Sequence, residues 1–454
     1  MKTLLTHATV VTMDPEIGDL ADGQVLVEDD RILAVGHDLP SEGAEVVDCQ
    51  GGILIPGLVN AHMHTWQTAL RGVAANWTLL EYFGHVHRGL ATLFSPDDIH
   101  IATRMGALNQ LNCGTTTLGD WCHNNPTPEH TDAAIRGLEE SGIRALFFHG
   151  SPKPDPKPGQ PHFSEIPHPR GEVERLLAGS LGEREGRVTL GLAILGPHYS
   201  TLDVTLHDFK LAKEFGLVAS MHQGGGKAVT PGGWDVIEEQ GLLGPDINIV
   251  HGQSLDDGQL ARFCEKGVTF SIAPENEMTQ GHGFPITGHV RRHGGVVSLG
   301  VDLESVISGD MFTVARMALG MQRSLDNDVS RREQGTIPDT STIRTREALQ
   351  WITLDGARAL GLEERIGSLT PGKQADIVLL DSSGLNMQPV NDPVSAVVMQ
   401  ASLANIDSVM VAGEFHKRHG KLLADVEEGI SQLAASGHRI YAELQSRQQE
   451  GASQ

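Results

Sequence analysis

Eight short apolar runs, each followed by a stretch of helical spacing, constrain the fold of this chain more than any other feature. They are ILIPGLVNAH (53–62), GTTTLGDW (114–121), RALFFHG (144–150), VTLGLAILGPH (188–198), LVASMHQ (217–223), INIVHGQ (247–253), VTFSIAPE (268–275) and VVSLGVD (296–302). Strands buried on both faces read as unbroken apolar runs, and strands alternating with helices signal βα units around a parallel sheet. The segment SPDDIHIATRMGALNQLNC (95–113) shows the helical half of the unit: a serine cap, a proline in the first turn and two early acids. Eight units predict a closed (β/α)8 TIM barrel of the α/β class.

Both ends of the chain have a different texture. Residues 1–54 carry short β-like runs (TLLTHATVVTM, GQVLVED, RILAVG, AEVVDCQ), and similar runs return in 365–424 (ADIVLLD, IDSVMVAGEFHKRHGKLL). Each end is too small to stand alone. The expected arrangement is a small β-sandwich domain formed from both ends, the barrel over 55–364, and a C-terminal helix and tail over 425–454.

The bulk properties exclude several partners. The chain has 58 acidic and 34 basic residues and a net charge of -24, which argues against nucleic acid or an anionic membrane. It also disfavours highly anionic substrates unless a local site overrides the global charge. Its four cysteines, Cys49, Cys113, Cys122 and Cys264, form no CxxC pair, so a reducing cytoplasm is expected. The first residues read as a strand rather than a signal peptide, and no run reaches the ~18 apolar residues of a membrane helix.

Chemistry in such barrels gathers at the C-terminal ends of the strands. The eight runs end at His62 and His64; at Asp120, Trp121 and His123; at His149; at His198; at His222; at His251; at Glu275 and Glu277; and at Asp302. Singly, each residue reads as a structural hydrogen-bonder or a helix cap. Together they place imidazoles and carboxylates on one rim, a donor set suited to a divalent ion such as zinc. In His62-Met63-His64 the two-residue period of a strand turns both imidazoles to one face, within reach of a single ion.

The segments PGLVNAHMHTWQTALRG, NCGTTTLGD, LGPHYST, VASMH, IVHGQSL, VVSLGVD and RIGSLTPGKQADIVLLD run through almost the whole chain in this order. In them the chain resembles the amidohydrolase superfamily, in particular the branch of cytosine and guanine deaminases, S-adenosylhomocysteine deaminases and chlorohydrolase-like triazine hydrolases. The resemblance implies a (β/α)8 barrel with a β-domain from both termini, a homodimer or homotetramer, and a small-molecule substrate. It implies one divalent metal ion, zinc ahead of iron, manganese or cobalt, held by His62, His64, His222 and Asp302. Asp302 would also take a proton from the bound water. His251 would be a ligand or a hydrogen-bonder to the attacked group, and His198 would contact substrate. No lysine stands in AILGPH, so a single-metal site is implied.

The implied reaction is hydrolysis of a non-peptide C–N bond, deaminase-like, on a heterocyclic or aromatic small molecule. The ion lowers the pKa of water from ~15.7 toward ~7, and the hydroxide attacks an sp² carbon. Trp66, Gln67, Trp121 and His123 are expected to line the pocket with Gln223, while Trp77 and Glu81 belong to a lid-like loop. His85 and His87 read as surface or lid residues.

One departure complicates this reading. The hydrolytic deaminases carry a proton-shuttling glutamate three residues after the histidine at the fifth strand, and here that position is Gly225. Glu275 and Glu277 are the first candidates to replace it, and His198, His251 and Glu304 are weaker ones. Two other readings stay open: displacement of another leaving group such as a thiolate or halide, or a lyase reaction; and a non-catalytic binder.

Overall fold

A computed structural model describes residues 1–224 and 226–452, with side chains through Ser446. Seventeen strands, named in chain order, fall into two sheets among these residues. The strands are β1 (Lys2–Val11), β2 (Asp19–Glu28), β3 (Arg31–Gly36), β4 (Ala44–Asp48), β5 (Ile53–Pro56), β6 (Leu58–Met63), β7 (Thr115–Cys122), β8 (Arg144–Gly150), β9 (Val188–Ala193), β10 (Ala219–Gln223), β11 (Ile247–His251), β12 (Thr269–Ile272), β13 (Val296–Leu299), β14 (Ile377–Leu380), β15 (Ile406–Val411), β16 (Glu414–Arg418) and β17 (Lys421–Leu422).

β6 to β13 form the barrel, each strand parallel to its neighbour in sequence order. The ring closes between β6 and the residues after β13. The His64 amide donates to the Asp302 carbonyl, and the Asp302 amide to the His62 carbonyl, both at 2.9 Å. Gly300 permits that approach, since a Cβ there would lie 2.5 Å from the His62 carbonyl oxygen.

The other strands join into one nine-stranded mixed sheet drawn from both chain ends. Residues of β1, β2, β5, β14 and β15 share an apolar core distinct from that of the barrel. The sheet meets the barrel at the strands' N-terminal ends. There buried Arg144, which opens β8, makes a two-pronged bond to Asp376 at 2.9 and 3.0 Å. The rim at the opposite ends of the strands stays clear of it. The helix Glu427–Ala452 lies against the helix Pro96–Asn112, where Ser436 donates to Asp98 at 2.6 Å, and supports the turn Thr65–Leu70 behind His64.

Three runs differ from the sequence expectation. The run 53–62 is two strands: β5 belongs to the end sheet and β6 to the barrel. The chain crosses between them at Gly57, where a Cβ would stand 2.0 Å from Thr116 Oγ1. Both halves are fully buried, so hydropathy gives no sign of the break. The run 188–198 ends as a strand at Ala193, and His198 lies on the short helix Gly196–Tyr199 with Pro197 in its first turn. After β12, Pro274 opens the helix Pro274–Gln280, so Glu275 and Glu277 are helical residues. No helix among the described residues is long and apolar enough to cross a membrane.

Candidate active site and metal centre

His62, His64, His222 and Asp302 are all buried, and each offers a donor atom within 4.8 Å of the other three. His62 Nε2 stands 3.2 Å from His222 Nε2, and Asp302 Oδ1 lies 3.3 Å from the Nε2 atoms of both His62 and His64. Donors bound to a tetrahedral zinc at about 2.0–2.2 Å stand roughly 3.3–3.6 Å apart, a separation that these three spacings approach. Met63, between the two β6 histidines, is wholly buried on the opposite face.

The protonation states fit as well. His64 Nδ1 donates to the Trp121 carbonyl at 2.5 Å, which leaves Nε2 with its lone pair. Burial pushes His62 down to about 4 and holds His222 well below the usual imidazole range, so both rings are neutral. Burial works against the Asp302 carboxylate. The close Nε2 atoms of His62 and His64, with the surrounding imidazoles, outweigh it and keep the group well below the usual carboxylate range.

Asp302 has two faces. Oδ1 meets the histidine nitrogens; Oδ2 accepts a hydrogen bond from Asn276 Nδ2 at 2.5 Å and lies 3.7 Å from His251 Nε2. His251 Nδ1 is 3.0 Å from Glu277 Oε1, which also accepts the Ala273 amide at 3.0 Å. Burial disfavours a charged His251, but the bond to Glu277 and the charges of Asp302 and Glu277 prevail and raise its pKa. His251 and Asp302 have φ of 70° and 65°. All other described non-glycine residues with positive φ fall within 7–50 and 412–419 of the end sheet. Strain of this kind, outside tight turns, marks positions held for a purpose.

The cavity over this cluster is lined by His64, His123, His222, His251 and Asp302 from the expected set, and by Tyr82, Phe83, His87, Lys153, Tyr199, Gln280 and His282, which sequence reading did not place there. His87 is a buried wall residue, because the chain from Leu79 to His87 winds as an α then a π turn and directs it inward. Its neighbour His85 instead packs on Trp77, at 4.9 Å between rings.

Several expected residues stand behind the cavity wall. Trp66 is in the core against Phe94 and His123. Gln67 donates to the Tyr82 hydroxyl at 2.6 Å and accepts from Ser305 at 2.8 Å, so it orients Tyr82. Trp121 packs across the His222 ring at 4.3 Å. Gln223 accepts from Trp234 Nε1 and donates to Ser254 Oγ, and His198 Nδ1 lies 3.4 Å from its amide nitrogen. Glu81 is exposed and caps a helix through Thr78. Glu275 is half-buried and outside the cavity lining; burial and then the Asp310 charge raise its pKa. Glu304 is tied to Thr68, Arg71 and Asn109 and braces the turn after His64. Gly225 lies outside the described residues.

The model for the amidohydrolase family matches residues 53–415. This chain belongs to the amidohydrolase family. The amidohydrolase is 27% identical over 446 residues to a 5'-deoxyadenosine deaminase of Methanothermobacter thermautotrophicus, covering 95% of this chain and 98% of the relative. It is 28% identical over 467 residues to a 5-methylthioadenosine/S-adenosylhomocysteine deaminase of Moorella thermoacetica, covering 96% and 99%. Its fold matches that of an atrazine chlorohydrolase of Arthrobacter aurescens TC1 complexed with zinc (TM-score 0.84, 23% identity, 96% of this chain and 100% of the other). It also matches an adenosine deaminase of Xanthomonas campestris with bound zinc (TM-score 0.80, 23% identity, 97% and 98%).

A metal that binds only the folded amidohydrolase stabilises it. With free zinc a thousandfold above its dissociation constant the gain is about 4 kcal/mol. Zinc added to chelator-stripped protein is expected to raise the melting midpoint by several degrees, and His222→Ala to abolish most of that rise. An unchanged midpoint on zinc addition would remove the cluster as a metal site.

Proposed function

We propose that this amidohydrolase removes an amino group from a purine-like heterocycle by hydrolysis at an sp² carbon, using one zinc ion held by His62, His64, His222 and Asp302. The observation that carries the reading is the packing of these four donors within 4.8 Å at the barrel rim, with His251 and Glu277 behind Asp302. The deaminase names of the relatives support the reaction type.

When bound, the ion lowers the pKa of a coordinated water toward ~7. Asp302 takes the proton through Oδ2, the oxygen that Asn276 holds in place and that lies 3.7 Å from His251 Nε2, while Oδ1 meets the histidines. Glu277 holds His251 Nδ1–H, so Nε2 is turned toward the cavity and delivers the proton to the departing nitrogen. This relay fills the role that a glycine at 225 cannot perform. Iron, manganese or cobalt in the same donor set is separated from zinc by elemental analysis.

Ammonia release from zinc-loaded enzyme across adenosine derivatives, oxopurines, cytosines, triazines and aryl ureas tests the assignment. Stoichiometric ammonia from a member of the panel, lost on chelation, is the expected result. Release of a thiol or halide with no ammonia from any amine would replace the deaminase reading by displacement chemistry.

A further inference from the structure

We propose that Lys153 is the counter-ion for a negatively charged oxygen on the substrate, so that the molecule turned over is an anionic heterocycle. The proposal rests on the active-site assignment above and narrows its substrate class.

Lys153 is only 7% exposed. Among the described residues no carboxylate lies within ion-pair distance of its ammonium, which instead sits over the rings of Tyr199 at 4.9 Å and Trp121 at 5.4 Å. Burying an ammonium without a carboxylate is costly, and rings repay only part of the loss. Burial alone pulls this amine down to about 8. The histidines that feel its charge, His87, His123 and His222, are all held low by burial and offer no anion.

The location gives the charge a use. Lys153 lines both the metal cavity and an adjoining outer chamber of about 830 Å³, within the size range of small-molecule sites. The chamber is walled by Leu79, Leu80, Phe83, Phe163 and Tyr199. Among the described residues its cations are Lys153 and Arg88, and no acid lines it. Arg88 already pairs with Asp155 at 3.3 Å at the exposed edge. In a chain of net charge -24 this is a local reversal of sign. Asp302 is the one acid lining the inner cavity among the described residues, and it belongs to the donor cluster.

Because Lys153 stands at the junction, the anionic oxygen belongs on the reacting ring or a bond or two from it. It is a ring carboxylate or an ionised ring oxygen. An apolar substituent would extend outward between Phe83 and Phe163.

The test uses equilibrium binding to zinc-loaded enzyme, measured by titration calorimetry with ring-matched pairs: orotate against uracil, and nicotinate against nicotinamide. Wild type is expected to bind each anion at least about tenfold more tightly than its neutral partner. In Lys153→Met the preference should fall to about twofold or less. That variant should keep its zinc and melt no lower than wild type, since the substitution removes an unpaired buried charge. Equal binding of the two partners, no anion binding at millimolar concentration, or a preference that survives in Lys153→Met would overturn the proposal; in the last case the metal alone reads the carboxylate. Turnover is not needed. If no amine releases ammonia but the preference vanishes with Lys153, the deaminase assignment fails and the anion site stands. If neutral amines are deaminated and no preference exists, the reverse holds.

Discussion

Asp302→Asn is expected to lower kcat/KM for ammonia release by about 10³-fold or more, while zinc content stays near that of wild type. Positioned proton transfer contributes roughly 10²–10⁴ in rate, and Asp302 serves both ends of the relay. The substituted amide keeps one oxygen for the ion, and three histidines remain as ligands. It cannot accept a proton. Its nitrogen would also confront Asn276 Nδ2, donor against donor, where a carboxylate oxygen now receives that bond at 2.5 Å. Steady-state kinetics with elemental analysis of the same preparation check both halves. Retained activity would take Asp302 out of the chemistry, and loss of zinc together with activity would reduce it to a ligand.

The second large effect is the contrast between two acids on one helical turn. Glu277→Gln should lower kcat about 10²-fold with KM little changed, because it removes the anion that orients and charges His251. The amide retains an oxygen for the Ala273 amide proton, so the fold survives. Glu275→Gln should leave kcat within about twofold of wild type, since a surface-side substitution outside such features changes little. Its carboxyl is half-buried, away from the cavity lining, and is disfavoured by Asp310. Equal losses in both variants would show that the helix, rather than the bond to His251, is what matters. Unchanged rates in both would leave the leaving group without this proton source.

The difference between these acids marks the limit of what the sequence revealed. His62, His64, His222, His251 and Asp302 were legible because each terminates an apolar run, and a parallel strand buried on both faces leaves an unmistakable run. The end sheet was legible from the return of short β-like runs near both termini. Side-chain direction was not. Glu275 and Glu277 are equivalent in sequence until Pro274 turns the chain into a helix and sends one to His251 and the other toward Asp310. Trp66 and Gln67 follow a strand end and Gln223 closes one, yet packing places them behind the wall rather than on it. Lys153, His87 and His282 enter the cavity from segments between the strands, where no period of two or 3.6 points to a face. The break at Gly57 was hidden because both strands flanking it are equally apolar.

The hydrogen bonds that shut the barrel join His62 and His64 to Asp302, residues from its first and last βα units that also supply three of the four proposed ligands. A chain still emerging from the ribosome therefore lacks a complete cage for the cation until its eighth unit is made. An ion held by all four donors would fasten a ring whose ends have already met.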